Sequence, residues 1–274
     1  MQQAKWNYFS FTQSHPGKVR TYNEDACLAM QKEGVWVVAD GMGGHTAGDI
    51  ASQMLVDIIE QKVSSIGLPF LMLEHLHEAL TEANTRIYQY GYHDLAKSIM
   101  GTTAIVLFVK DAQFHCLWVG DSRLYLYRNG QLIQQSRDHS QVMEMVEKGL
   151  LNEDEAEQHP MANVITRAVG VDEKIDIDQL SGSLQSGDQF LLCSDGLTKE
   201  LTEHEMTACF QATSVNEVGQ ALIHSALVRG ASDNVTCAVV KAAQHTASEY
   251  HLPPSYSDAT VPVFNNQRIS LLGE

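Results

Sequence analysis

Nowhere in this 274-residue chain do apolar residues run long enough to cross a bilayer, which takes roughly 18 or more in succession. The N-terminal MQQAKWNYFSFTQ likewise lacks an apolar core of signal-peptide length. Both absences lead to the expectation of a soluble, cytoplasmic protein without membrane insertion. Basic residues are scarce: 18 Lys and Arg stand against 34 Asp and Glu, a net charge of −16. That balance disfavours attraction to nucleic acid or anionic lipid and is compatible with a carboxylate site for hard cations. Cysteine offers no CxxC spacing. Cys27, Cys116, Cys193, Cys209 and Cys237 mostly sit inside apolar runs, so they read as buried thiols in a reducing compartment, without disulfides or zinc.

Strand patterns are present at 35–39, 102–109, 114–120, 123–128, 189–194 and 234–241, short runs rich in β-branched and aromatic residues and bounded by Gly, Asp or Asn. KDAQ and VGDS are short enough to join 102–109, 114–120 and 123–128 into an antiparallel meander. Helical spacing of apolar residues marks 46–63 and 69–90, with later helices at about 140–149, 153–158, 202–210 and 215–227. In the last of these, SVNEVGQALIHSAL, a Ser or Asn near the start caps the helix. Trp36 and Trp118 read as core, and Tyr125 and Tyr127 as sharing one strand face. Meandering strands combined with paired helices predict an α+β fold. The catalytic domain is expected over residues 1–242 and a flexible tail over 243–274, where periodicity ends.

The stretch VWVVADGMGGHTAG, residues 35–48, has two readings. A phosphate-cradling loop would need the Lys of a Walker motif or a Gly at the sixth place of a dinucleotide fingerprint, where Thr46 stands. Asp40 at the strand's end would also repel an unassisted phosphate. The other reading makes Asp40 a metal ligand, and it gains from three more acids beside apolar runs: Asp121, Asp195 and Asp233. Alone, each reads as a turn former or helix cap. Together they suit Mg²⁺ or Mn²⁺, and two such ions sharing a carboxylate make a phosphohydrolase. Gly41 lets a backbone carbonyl approach an ion. In GKVRTYNEDA, Arg20 is suited to grip phosphate, Glu24 to reach a metal-bound water, and Asp25 to stand behind it.

VRTYNEDA, VVADGMGGHTAG, GTTAIV, VGDSRLYLYRNGQL, DHS, ITRAVG, LLCSDGL and SDNVTCAVV follow one another over about residues 8–242. In that order they resemble the metal-dependent protein serine/threonine phosphatases of type 2C, the bacterial branch in particular. The resemblance implies a central β-sandwich of two antiparallel sheets flanked by helices on both sides. It implies two Mg²⁺ or Mn²⁺ ions bridged by Asp40, with Asp195 and Asp233 on the first, and the Gly41 carbonyl and Glu24, through water, on the second. Asp121 and Asp195 would take a third, weaker ion. Arg20 would bind the phosphate, and a metal-bridging water would attack phosphoserine or phosphothreonine in line, without a covalent intermediate. A flap over about 138–165 would touch protein substrates. The expected partners are phosphoproteins and an opposing serine/threonine kinase, and the protein is expected to be a monomer. One place departs from the animal members: where they carry a histidine, here stands Met42, which cannot donate a proton. The leaving group's acid is then a metal-bound water, His45 or His139.

Overall fold

Along the strand β3 (Val35–Gly43), Val35, Val37 and Ala39 face one apolar cluster and Trp36 and Val38 another, the two-residue period of a strand buried on both sides. The same alternation in β5 (Ala104–Lys110) separates Ala104, Val106 and Phe108 from Ile105, Leu107 and Val109. This computed structural model describes residues 6–43, 47–93, 99–152, 155–156, 159–162 and 164–244. The other strands are β1 (Trp6–His15), β2 (Asp25–Met30), β4 (Met100–Thr102), β6 (Gln113–Val119), β7 (Arg123–Arg128), β8 (Gln131–Gln134), β9 (Asp178–Ser183), β10 (Gln189–Cys193) and β11 (Val235–Gln244).

They form two antiparallel sheets, one in the order β1-β11-β10-β7-β8 and the other β2-β3-β5-β6-β9, with β4 paired to β3. Trp36, Trp118, Phe190 and Val240 fill the space between the sheets. Helices α1 (Ala47–Ile66) and α2 (Leu73–His93) cover the outer face of the six-stranded sheet through Leu55, Ile59, Leu76, Leu80 and Ile87. Helix α3 (Gln141–Glu147) lies in the expected flap, capped by Ser140. The outer face of the five-stranded sheet is covered by α4 (Asp195–Thr198), α5 (Glu203–Cys209) and α6 (Val215–Arg229). As the sequence suggested, Ser214 caps α6, its hydroxyl accepting from the Glu217 amide while the Glu217 carboxylate accepts from the Ser214 amide. The layers are helix, sheet, sheet, helix, as the resemblance implied. Among the described residues no helix is long and apolar enough to cross a membrane. All five cysteines are free, Cys116, Cys193 and Cys237 being fully buried.

Three expectations are corrected. The meander does not exist: β5 and β6 form a hairpin through the positive-φ pair Asp111 and Ala112, but β7 belongs to the opposite sheet. The chain changes sheets at Gly120–Ser122, where Gly120 has φ 103° and a Cβ would press into Thr103. The expected strand over 102–109 is broken at Thr103 into β4 and β5. At the C-terminal end, Ala243 and Gln244 belong to β11, opposite Asn7 and Trp6. The rest of the expected tail lies outside the described residues.

Candidate active site

Antiparallel order brings the acids to one end of the sandwich. Asp25 opens β2 and faces Asp40 near the end of β3. Asp121 follows β6, Asp195 follows β10, and Asp233 precedes β11, whose Cys237 is the register partner of Cys193. A strand that ends at the site is thus followed by one that begins there.

The main chain of Asp40 is clamped from β4 and β5. Its amide donates to Thr103 Oγ1 at 2.9 Å, and its carbonyl accepts from the Thr103 amide at 2.8 Å and the Thr102 hydroxyl at 3.0 Å. Thr103 Oγ1 also lies 2.7 Å from Ser122 Oγ, which couples the Asp40 clamp to the loop carrying Asp121. Gly41 donates its amide to the Glu24 carbonyl at 3.0 Å and approaches Gly48 so closely that any Cβ would strike the Gly48 carbonyl oxygen. Asp25 is held by Ser194, whose hydroxyl donates to Oδ2 at 2.8 Å. Asn234 ties the N-terminal loop to this end: its amide nitrogen donates to the Pro16 and Tyr22 carbonyls at 3.0 and 2.9 Å, and its oxygen accepts the Glu24 amide at 2.8 Å.

Charge at this end is unbalanced. Burial, then the neighbouring Asp25, Asp195, Asp121 and Asp233, pushes Asp40 well above the usual carboxylate range. Asp25 is pushed up to about 7 by burial, against the hydrogen bonds from Thr236 and Ser194. Asp121 is pushed up to about 7 by burial and by Asp195, and Glu24 is raised by burial. Asp25 Oδ1 and Asp195 Oδ1 are buried with no hydrogen-bond donor. Two cations answer part of this. Arg20 grips Asp233 bidentately, Nε to Oδ1 at 2.9 Å and Nη2 to Oδ2 at 3.1 Å. Lys199 Nζ lies 2.6 Å from Asp195 Oδ2 and 3.0 Å from Asp233 Oδ2. Against the burial penalty, Lys199 and Arg20 draw Asp233 below its ordinary range.

A crowd of hard oxygen donors with orphaned buried acceptors and mutually raised carboxyls is what divalent cations relieve. The chemistry of the donor set therefore fits such ions. Among the described residues no three acids, histidines or cysteines stand close enough to hold an ion as they are placed; Asp233 is turned to Arg20 and Lys199.

The protein phosphatase 2C model matches residues 14–229. The chain belongs to the protein phosphatase 2C family. This phosphatase is 34% identical to the serine/threonine phosphatase stp of Listeria innocua over 232 residues, 82% of this chain and 92% of that one. It is also similar to the solved structure of PppA, described as a key regulatory component of T6SS in Pseudomonas aeruginosa, at TM-score 0.77 and 41% identity over 86% of this chain and 98% of that one. A third relative, the catalytic domain of the serine/threonine protein phosphatase PstP in complex with two manganese ions, matches at TM-score 0.79 and 29% identity over 87% of this chain and all 100% of that one. The chain is accordingly a protein serine/threonine phosphatase.

The phosphatase brings Arg20, Glu24, Asp25, Asp40, Gly41, Asp121, Asp195 and Asp233 to this one end. His45 lies outside the described residues. His139 is a different case from the proton donor considered above: its Nδ1 accepts the Gly120 amide at 3.1 Å, its own amide donates to the Gly120 carbonyl at 2.9 Å, and Nε2 stands 3.3 Å from Asp178. It holds the sheet-changing loop behind Asp121. The Met42 methyl lies over Gly101 of β4. Sequence reasoning missed Lys199, Asn234, Thr103 and Ser194; SDNV and CSDGLTK contained three of them, but only the fold reveals what they touch.

The raised carboxyls fix a pH dependence. Asp25 and Asp121 lie at about 7 when folded against 3.8 when exposed, so between those values the metal-free fold binds more protons than the unfolded chain. Their stabilisation is complete at low pH and is lost as pH rises through about 7. The metal-stripped protein should therefore melt at a lower temperature at pH 8 than at pH 5, and Mn²⁺ should reverse the loss at pH 8. Scanning calorimetry with and without chelator checks this; a melting temperature that climbs over that window in chelator would refute it.

Proposed function

We propose that this phosphatase hydrolyses phosphoserine and phosphothreonine in cytoplasmic proteins, opposing a serine/threonine kinase, at a centre of two Mn²⁺ or Mg²⁺ ions. Asp40 would be shared by the two, with Asp195 and Asp233 completing the first and Glu24 and the Gly41 carbonyl serving the second; a third, weaker ion would lie at Asp121 and Asp195. The observation that carries the reading is the set of mutually raised, partly donor-less carboxylates at one end of the sandwich beside a guanidinium. When bound, such ions acidify water for attack and neutralise phosphoryl oxygens.

The chain's own residues do the rest. The Thr102 and Thr103 clamp fixes the main chain of Asp40, so the root of its side chain is in place before substrate arrives. Arg20, about half exposed and paired with Asp233, is placed to exchange that carboxylate for the phosphate dianion, which also offers a guanidinium two oxygens at once. Asp25, deep behind Asp40 and bonded to Ser194, positions the site without meeting substrate. Met42 packs on β4 and has no proton to give, so the leaving alcohol's proton would come from water or from His45.

The test is turnover of a phosphothreonine peptide in Mn²⁺ by the wild type and by Arg20→Ala. The wild type should release phosphate. Arg20→Ala should raise KM and lower kcat/KM by roughly 10²-fold, the scale of one charge-assisted phosphate clamp. Absence of peptide hydrolysis by a metal-loaded wild type that cleaves only small phosphate esters would move the function to another phosphohydrolase class.

A further inference from the structure

Lys199 sits where a phosphohydrolase centre would be expected to admit only metal. It follows the short helix α4, and its amide donates to the Asp195 carbonyl at 2.8 Å. The side chain then folds back one turn, so that Nζ bridges Asp195 and Asp233. All three side chains are largely shielded, at 29, 20 and 23% exposure. Asp195 gives Oδ2 to this ammonium while Oδ1 stays buried without any donor, an acceptor whose valence is unmet. Asp233 is held from both sides, by Lys199 and Arg20.

We infer that Lys199 is a tethered counter-cation that competes with the divalent ion for Asp195 and Asp233 and thereby sets the metal affinity of the centre. Without metal, its ammonium keeps together two partly shielded carboxylates that would otherwise repel where β10 ends beside the start of its neighbour β11. An entering ion can meet Asp195 through its unpartnered Oδ1, but to draw on Asp233 Oδ2 it must take over the countercharge there and displace Lys199. Metal affinity is therefore lower than the same carboxylates would give alone, and occupancy responds to ion concentration. A surface lysine that merely neutralises the rim would touch one acid or neither, and would not bridge the pair.

This inference rests on the reading of Asp195 and Asp233 as metal ligands. The test is calorimetric titration of Mn²⁺ into chelator-stripped full-length wild type, Lys199→Met and Lys199→Gln, together with melting temperatures before and after loading. Lys199→Met should bind Mn²⁺ roughly three- to tenfold more tightly, the effect of removing one or two partly exposed ion pairs from the competing state. Its stripped form should melt below stripped wild type, and the difference should shrink once Mn²⁺ is saturating. Lys199→Gln keeps hydrogen-bond donors without the charge and should fold even where Met does not, with most of the affinity gain. A folded Gln or Met variant whose Mn²⁺ affinity equals or falls below that of wild type overturns the inference and leaves the two-metal reading standing. A wild type that binds no Mn²⁺ overturns both.

Discussion

Asp40→Asn is expected to abolish hydrolysis of a phosphothreonine peptide while leaving the fold intact and making the metal-stripped protein more stable. The loss follows from position: Asp40 is the carboxylate that both ions would share, and removing one preorganised electrostatic group lowers kcat by roughly 10²–10³ or more. The fold survives because Asp40 is held by its main chain. Thr102 and Thr103 bond its amide and carbonyl, and neither contact needs the carboxylate. The gain in stability follows from the charges around it. Burial first, and then Asp25, Asp195, Asp121 and Asp233, raise Asp40, so in chelator at neutral pH this carboxyl costs stability that a neutral amide does not. Two measurements check the result, peptide turnover in Mn²⁺ and melting temperature in chelator. A near-normal rate would sink the shared-carboxylate mechanism; a stripped variant that melts well below wild type would show that Asp40 supports the fold through its side chain after all.

Asn234→Ala should have the largest effect on stability of any single polar change at this end. The side chain is 5% exposed and makes three hydrogen bonds to the loop between β1 and β2, leaving the Glu24 amide and the Pro16 and Tyr22 carbonyls short of partners when it is removed. Pro16 and Tyr22 are exposed and can turn to water, so the penalty of about 1–3 kcal/mol for an unsatisfied buried group applies mainly once, and the loss comes to roughly 1.5–3 kcal/mol. For a domain of this size that lowers Tm by roughly 3–12 °C. Activity should fall with it, because the same loop carries Arg20 and Glu24. Thermal denaturation and kcat/KM on the same preparation check both halves. A Tm within a degree or two of wild type would mean that the loop is held by the Lys18 amide on the Ala231 carbonyl and by Arg20 on Asp233, with Asn234 dispensable.

The four strands that the sequence reading missed, β1, β2, β8 and β9, are the edges of the two sheets. An edge strand is buried less completely and needs fewer apolar residues, so β9 reads DQLSGS and alternates between half-buried and exposed. The inner strands β3, β5, β10 and β11 are apolar on both faces, and that continuity is what made them legible. β8 had a signal that went unused: Asn129 and Gly130, both at positive φ, close a two-residue hairpin after β7.

The sequence by itself determined which residues are apolar on two faces, where the helices run, and which acids stand next to apolar strands, because these are local patterns with periods of two or 3.6 residues. It also determined the family, through the order of its motifs. Only the tertiary structure decided that the chain changes sheets at Gly120–Ser122, since VGDS has the length of a hairpin whether or not its strands pair. Only the structure joined Lys199 to Asp233 and Asn234 to Glu24, 34 and 210 residues apart. The first pair is chosen by the pairing of β10 with β11 and the second by packing the two sheets face to face, and both bring strand ends together without any local trace in the residues that meet.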